Sequence, residues 1–159
     1  MLQQTQAARV AVAFPRFLRR FPSVGALARA PRRPVLQAWG DLGYNRRAVA
    51  LSEAARAIVR EYDGVVPGDA SALQRLPGVG PYTAAAVAAL AFDAPVAAVD
   101  TNVRRVVARV HLGAEGHDVA PTEIAVLARD WLDTRDPGSW NQAVMDLGRE
   151  ICRPRPRCD

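Results

Sequence analysis

Apolar residues recur along this 159-residue chain at helical rather than strand spacing. Val10, Phe14, Phe17, Leu18 and Phe21 predict a helix over 1–21, interrupted near Pro15. Ser23 is a cap for a short helix over 24–30. Pro31 and Pro34 flank the next start, and Val35 to Trp39 continues to Gly40. Leu51, Ala55, Ile58 and Val59 form the inward face expected of a helix over 48–62. A short helix over 70–75 precedes a glycine-rich turn, and the alanine-rich run Thr83 to Ala91 is a strong helix former ending near Phe92. Val103, Val106, Val107 and Val110 keep helical spacing over 101–112, as do Ile124, Leu127, Ala128 and Trp131 over 121–132. Ser139 is the expected cap of a last helix over 140–151. No segment of any length keeps a strand period and no internal repeat is present, so the expectation is an all-α fold.

Between these helices, two stretches have chemistry of their own. Leu76-Pro77-Gly78-Val79-Gly80-Pro81-Tyr82-Thr83-Ala84 reads as a tight turn opening a helix. Gly78 and Gly80 can take backbone angles forbidden to a side chain, and Pro81 suits the first helical position. The product is a helix N-terminus that an anion can approach closely; an ordinary helix–helix turn explains the same residues equally well. The second stretch is Val99-Asp100-Thr101-Asn102-Val103, with Asp100 twenty residues after Gly80. Asp100 reads either as a plain helix cap or as a functional carboxylate. Between residues 41 and 47, Tyr44 with Arg46 and Arg47 suits a wedge into stacked bases beside phosphates, or a tyrosine packed on the next helix.

Charge narrows the partners. The formal net charge is +5, and all 21 basic residues are arginine. An excess of base over acid favours an acidic partner, nucleic acid being the commonest. Two cysteines do not make a disulfide framework. No apolar run approaches the roughly 20 residues of a membrane helix, and the first residues do not resemble a signal peptide. The expected setting is therefore a bacterial cytoplasm, associated with the nucleoid and without a membrane. Neither His111 nor His117 has a cysteine or carboxylate at ligand spacing, and both read as structural.

Leu-Pro-Gly-Val-Gly-x-Tyr-Thr-Ala followed by Val-Asp-Thr-Asn-Val-Arg-Arg-Val closely resembles the helix-hairpin-helix DNA glycosylases with a Gly/Pro…Asp loop (HhH-GPD), and among them the MutY-type adenine glycosylases. Met1-Leu2-Gln3-Gln4-Thr5-Gln6 resembles their first helical segment, Leu42-Gly43-Tyr44 their minor-groove wedge, and Asn141 to Gly148 the helix leading into their iron–sulfur loop. The resemblance runs collinearly over essentially the whole chain. It implies two small helical lobes with the active site between them. One lobe would span about 24–112, including the hairpin over 70–92, and the other would combine 1–23 with 113–151. A partial iron–sulfur loop would follow over 152–159.

The resemblance also implies roles. Asp100 would stabilise positive charge on the sugar as the base leaves, with Asn102 orienting it and Tyr82 standing where bifunctional relatives carry a Schiff-base lysine. The reaction would be monofunctional base release from a flipped nucleotide. Gly78, Val79 and Gly80 would grip phosphate. Gln4 and Thr5 would contact the guanine or 8-oxoguanine opposite, Tyr44 would wedge beside it, and Arg46 and Arg47 would contact DNA. Cys152 and Cys158 would be two ligands of a [4Fe-4S] cluster that needs four thiolates, so the cluster is expected to be incomplete or absent in this chain. A monovalent cation at the hairpin is a family feature. The family's general-acid glutamate would lie upstream of Met1, and its 8-oxoguanine-recognising C-terminal domain is not in the sequence, so the chain looks like a fragment of the catalytic core.

The implied substrate is double-stranded DNA with adenine opposite 8-oxoguanine or guanine, bound by a monomer. A thymine or uracil mismatch glycosylase is the first alternative, since tyrosine occurs at position 82 there too. A DNA-binding module with impaired catalysis is the second, because removing a positioned acid typically costs about 10²–10⁴-fold in rate.

Overall fold

The computed structural model describes residues 1–157. Every regular element among them is helical. The chain divides into two compact units, one of Met1–Pro67 with Arg75–Val79, the other of Gly68–Gln74 with the chain from Gly80 onward. This division differs from the lobes that the resemblance implied. The aromatic face of the first helix packs with residues 21–42, which makes those segments one unit.

The first unit contains α1 (Ala7–Arg20), α2 (Val24–Arg29), α3 (Arg32–Trp39) and α4 (Arg46–Glu61). Phe17 meets Phe21 at a tilt of 58° and Trp39 edge-on, and these rings with Val10, Leu27 and Val35 form the core. Ser23 caps α2 as expected, its Oγ accepting from the Ala26 N–H at 3.1 Å. Two expectations are corrected. Residues 1–6 form a turn, with Gln4 at φ 55°, and the helix starts only at Ala7. It then runs unbroken through Pro15, which costs a backbone hydrogen bond but leaves the packed face intact. In α4 the buried face is Ala48, Ser52, Ala54, Ala55, Ala57 and Ile58, while Leu51 and Val59 are exposed. Small side chains let α2 and α3 approach the α4 backbone closely, so the alanines mark the inner face better than the larger residues do.

The second unit contains α5 (Ala70–Gln74), α6 (Pro81–Phe92), α7 (Thr101–Leu112), α8 (Pro121–Trp131) and α9 (Pro137–Glu150). α9 packs on both α6 and α7, and α8 packs on α7. Val103, Val106, Val107, Ile124 and Ala128 are fully buried, each large one contributing about 1.5–3 kcal/mol. Val110 keeps the spacing but faces solvent. The cap of α9 is Asp136, not Ser139: the Asp136 carboxylate accepts from the Ser139 N–H at 3.0 Å, and Pro137 takes the first helical position. Asn141 is wholly buried on α9. It donates to the carbonyls of Val96 (2.9 Å) and Pro137 (2.8 Å) and accepts from the Ala98 N–H at 2.7 Å. One side-chain amide thus satisfies the non-helical run that leads into Asp100 and fixes where α7 begins.

Candidate active site

In the second unit, Asp100 sits at the N-cap of α7. Its Oδ1 accepts from the backbone N–H groups of Asn102 (2.8 Å) and Val103 (2.7 Å). The capping reading is therefore correct as far as it goes. The other oxygen is engaged differently: Oδ2 accepts from the Asn102 side-chain amide, at 3.1 Å. One oxygen anchors the carboxylate to the helix, and the second is steered by a side chain.

The steering group is itself held. The Asn102 carbonyl accepts from Arg105 Nη2 at 3.0 Å, which fixes which end of the amide faces Asp100. Arg105 also donates to the carbonyls of Gly148 (2.6 Å) and Cys152 (2.7 Å). Gly148 has no side chain for a spatial reason as well: a Cβ there would lie 2.9 Å from the Asn102 Cβ. A cavity of about 320 Å³ opens beside this cap, lined by Val99, Asp100, Thr101, Arg104, Pro121 and Ile124. The larger cavity, about 660 Å³, lies along α1 and α3 in the first unit and contains none of these residues.

Tyr82 lies in the first turn of α6, partly exposed, with its hydroxyl 3.7 Å from the Met145 sulfur. Burial, and then the Asp100 charge, push its phenol above the ordinary value. No side chain caps α6, whose N-cap is Gly80 and whose first helical residue is Pro81. Nothing stands within 4 Å of where a Gly80 Cβ would be.

In the first unit the hairpin turn is closed by the Val79 N–H on the Leu76 carbonyl, at 3.1 Å. Gly78 has φ +75°, and a Cβ there would meet the Ala50 Cβ at 2.6 Å. Its carbonyl accepts from the Gln3 amide at 3.4 Å. Tyr44 is exposed and left-handed, at φ 47°. Gln4 and Arg46 are exposed. Thr5 and Arg47 are turned inward and bonded to one another, Nη2 to Oγ1 at 2.7 Å. Arg47 bonds protein acceptors through both terminal nitrogens, and its Nε is buried without a partner among the described residues.

The arginines of α7 depart from expectation too. The periodicity predicts Arg104, Arg105 and Arg109 as displayed. Arg104 instead donates to the carbonyls of Gly116 and Val119, both at 2.5 Å, and Arg109 pairs with Glu115 at 2.7 Å. Three buried-facing cations bind backbone oxygens that α7 alone could not satisfy. Arg105, Asn141 and Met145 have positions at the site that spacing alone did not single out. The signal available was an arginine three residues after Asn102, one helical turn along.

The residues present do not make an iron–sulfur site by themselves. Cys152 is half-buried with Arg109 Nη1 3.5 Å from its sulfur, and Cys158 lies outside the described residues. The chain holds two cysteines in all, where a [4Fe-4S] cluster takes four thiolates. No group of three or more His, Cys, Asp or Glu that could hold a metal occurs among the described residues.

Among known proteins, the adenine DNA glycosylase of Mycolicibacterium smegmatis is 44% identical over 159 residues, covering 99% of this chain and 54% of that protein. Its counterpart from Mycobacterium tuberculosis is 47% identical over 161 residues, covering 99% and 53%. The chain thus spans about half the length of these relatives. A thermostable thymine-DNA glycosylase structure matches with TM-score 0.90 at 32% identity, over 99% of this chain and 74% of that one. A non-covalent endonuclease III–DNA complex matches with TM-score 0.84 at 26% identity, over 98% and 72%. The sequence pattern of the HhH-GPD superfamily of base excision DNA repair proteins matches residues 1–129, and the chain belongs to that superfamily.

Proposed function

We propose that this chain is the catalytic core of a monofunctional DNA glycosylase that releases adenine mispaired with 8-oxoguanine or guanine. The observation that carries the reading is the split use of the Asp100 carboxylate, one oxygen capping α7 and the other held by Asn102 and Arg105. A cap needs only the first oxygen. Breaking the bond between base and sugar builds positive charge on the sugar, and a fixed carboxylate beneath that carbon stabilises it. Asn102 keeps Oδ2 aimed while the charge develops. Asp100 would move little during the reaction, because its geometry is set beforehand by the helix and by the amide.

Tyr82 supports the monofunctional part. A lyase step through a Schiff base needs an amine, and the chain has no lysine at position 82 or elsewhere. Adenine is favoured over thymine by the names of the 44% and 47% identical relatives. The thymine-DNA glycosylase structure keeps the second substrate in the test. Duplex DNA is the partner suggested by the hairpin, by the positive charge and by the endonuclease III–DNA complex. The first unit would read the nucleotide opposite through Gln4, Thr5 and Tyr44, while Gly78, Val79 and Gly80 take phosphate. An iron–sulfur cluster, if this protein has one, draws at least two of its thiolates from outside this sequence.

The test is single-turnover base release from duplexes with adenine opposite 8-oxoguanine, adenine opposite guanine, and thymine opposite guanine, with alkali revealing the abasic sites. Release of adenine alone is expected. Release of thymine alone would move the protein to the mismatch-thymine branch, and binding without release would identify a DNA-binding module.

A further inference from the structure

Two short loops of the first unit face each other through one guanidinium. Arg47, at the start of α4, donates through Nη1 to the carbonyls of Met1 (2.9 Å) and Gln3. Through Nη2 it donates to Thr5 Oγ1 (2.7 Å) and to the carbonyls of Leu42 (3.0 Å) and Gly43 (3.1 Å). Its carbon centre lies 5.3 Å from the Trp39 ring centroid and 5.5 Å from that of Tyr44. Trp39 adds its own indole N–H to the Gly43 carbonyl at 3.0 Å. The segments so joined contain Gln4 and Tyr44, two of the four non-glycine residues with positive φ among the described residues. Such angles persist only where the surroundings over-determine them.

We infer that Arg47 is a positioning residue. It clamps the Met1–Thr5 turn to the Leu42–Tyr44 loop and presents Gln4 and Tyr44 as one preformed surface for the nucleotide opposite the excised base. Only a planar fork of donors reaches acceptors on both loops at once; a lysine ammonium at the same place reaches one side. With both terminal nitrogens bonded inside the protein and Nε buried, the simpler role of a phosphate contact falls instead to the neighbouring Arg46, exposed and without such bonds among the described residues. The functional half of this inference rests on the glycosylase reading above, whereas the clamp itself does not.

The experiment compares wild type with Arg47→Lys, Arg47→Gln and, as the phosphate comparator, Arg46→Ala. Amide exchange is read over residues 2–5 and 42–45, and affinity is read for mismatched against fully paired duplexes as salt is varied. Arg47→Lys and Arg47→Gln should speed exchange in both loops while the α1 and α3 amides stay protected, so local loosening is told from unfolding. Both should shrink the preference for the mismatch by about 5- to 10-fold, the worth of about one net hydrogen bond, and leave the salt slope at its wild-type value. Arg46→Ala should lower that slope by about 1 and weaken all duplexes alike. Unchanged exchange in Arg47→Lys would overturn the clamp. A slope lowered by about 1 in Arg47→Gln with the mismatch preference intact would make Arg47 a phosphate contact and overturn the positioning role. Wild-type protein with no mismatch preference would overturn the glycosylase reading, and the exchange data would still decide the clamp.

Discussion

Asp100 caps α7, and in the proposed reaction the same side chain would serve chemistry; the two roles can be separated. Asparagine is nearly as good an N-cap as aspartate, so Asp100→Asn should keep the fold and DNA binding while base release falls by at least about 10²-fold, the usual cost of removing a positioned electrostatic group. Single-turnover rates and a binding titration on the same preparation check this; equal rates would leave Asp100 as a cap alone. Tyr82 gives a second test at this scale. Its phenol is raised by burial and by the Asp100 charge, so the ultraviolet titration step lost in Tyr82→Phe should lie above the usual value near 10. Asp100→Asn should move that step down, because the negative charge opposing the phenolate is gone. The raised value also has a sign for stability: the unfolded chain ionises Tyr82 first, so this contribution is present below pH 10 and lost as pH rises through the folded value. Of these residue-level facts, the sequence showed Asp100, Asn102 and Tyr82 through motif and resemblance. It did not show Arg105, because an arginine on a helix reads as solvated until its partners on α9 are known.

At the scale of elements, the hairpin turn separates two reasons for glycine. Gly78 is required by the fold: φ is positive, and a Cβ would collide with Ala50 of α4. Gly80 is not, since its φ of −84° suits any residue and the space around it is open. Gly78→Ala should therefore cost about 1–3 kcal/mol of stability, while Gly80→Ala should change it by less than about 0.5 kcal/mol. Both should weaken DNA binding, Gly78→Ala by moving the turn and Gly80→Ala by putting a methyl where phosphate approaches. Thermal unfolding and duplex affinity measured side by side check the contrast. Helix positions were largely legible, since α7 and α8 follow their apolar periods to within a residue or two and α6 follows its alanine-rich run. The ends were less so. Residues 1–6 have no apolar pattern that distinguishes a turn from a helix, and the competition between Asp136 and Ser139 to cap α9 was decided by Pro137, which sets the first helical position one residue after Asp136.

For the molecule as a whole, charge makes the broadest prediction. If hairpin amides and free arginines hold phosphates, affinity for any duplex should fall steeply with salt; about six such contacts would cost roughly 10³-fold between 50 and 200 mM. A flat response would remove phosphate gripping from the account. Yet the formal charge of +5 does not say which arginines are available. Arg104, Arg105 and Arg109 spend theirs on backbone oxygens, as Arg47 does, and only the folded chain distinguishes these from exposed Arg46. The all-α class, the hairpin turn and a cap at Asp100 were legible in adjacent residues, because helical period, turn chemistry and N-cap preference are local properties, and the superfamily was legible through the resemblance of its motifs. Only the folded chain settles the division into units, the inner face of α4, the anchoring of Arg105 on Gly148 and Cys152, and the bonds of Arg47 to Met1, Gln3 and Thr5. Each of those depends on acceptors or packing surfaces that lie tens of residues away along the chain, where no local pattern records them.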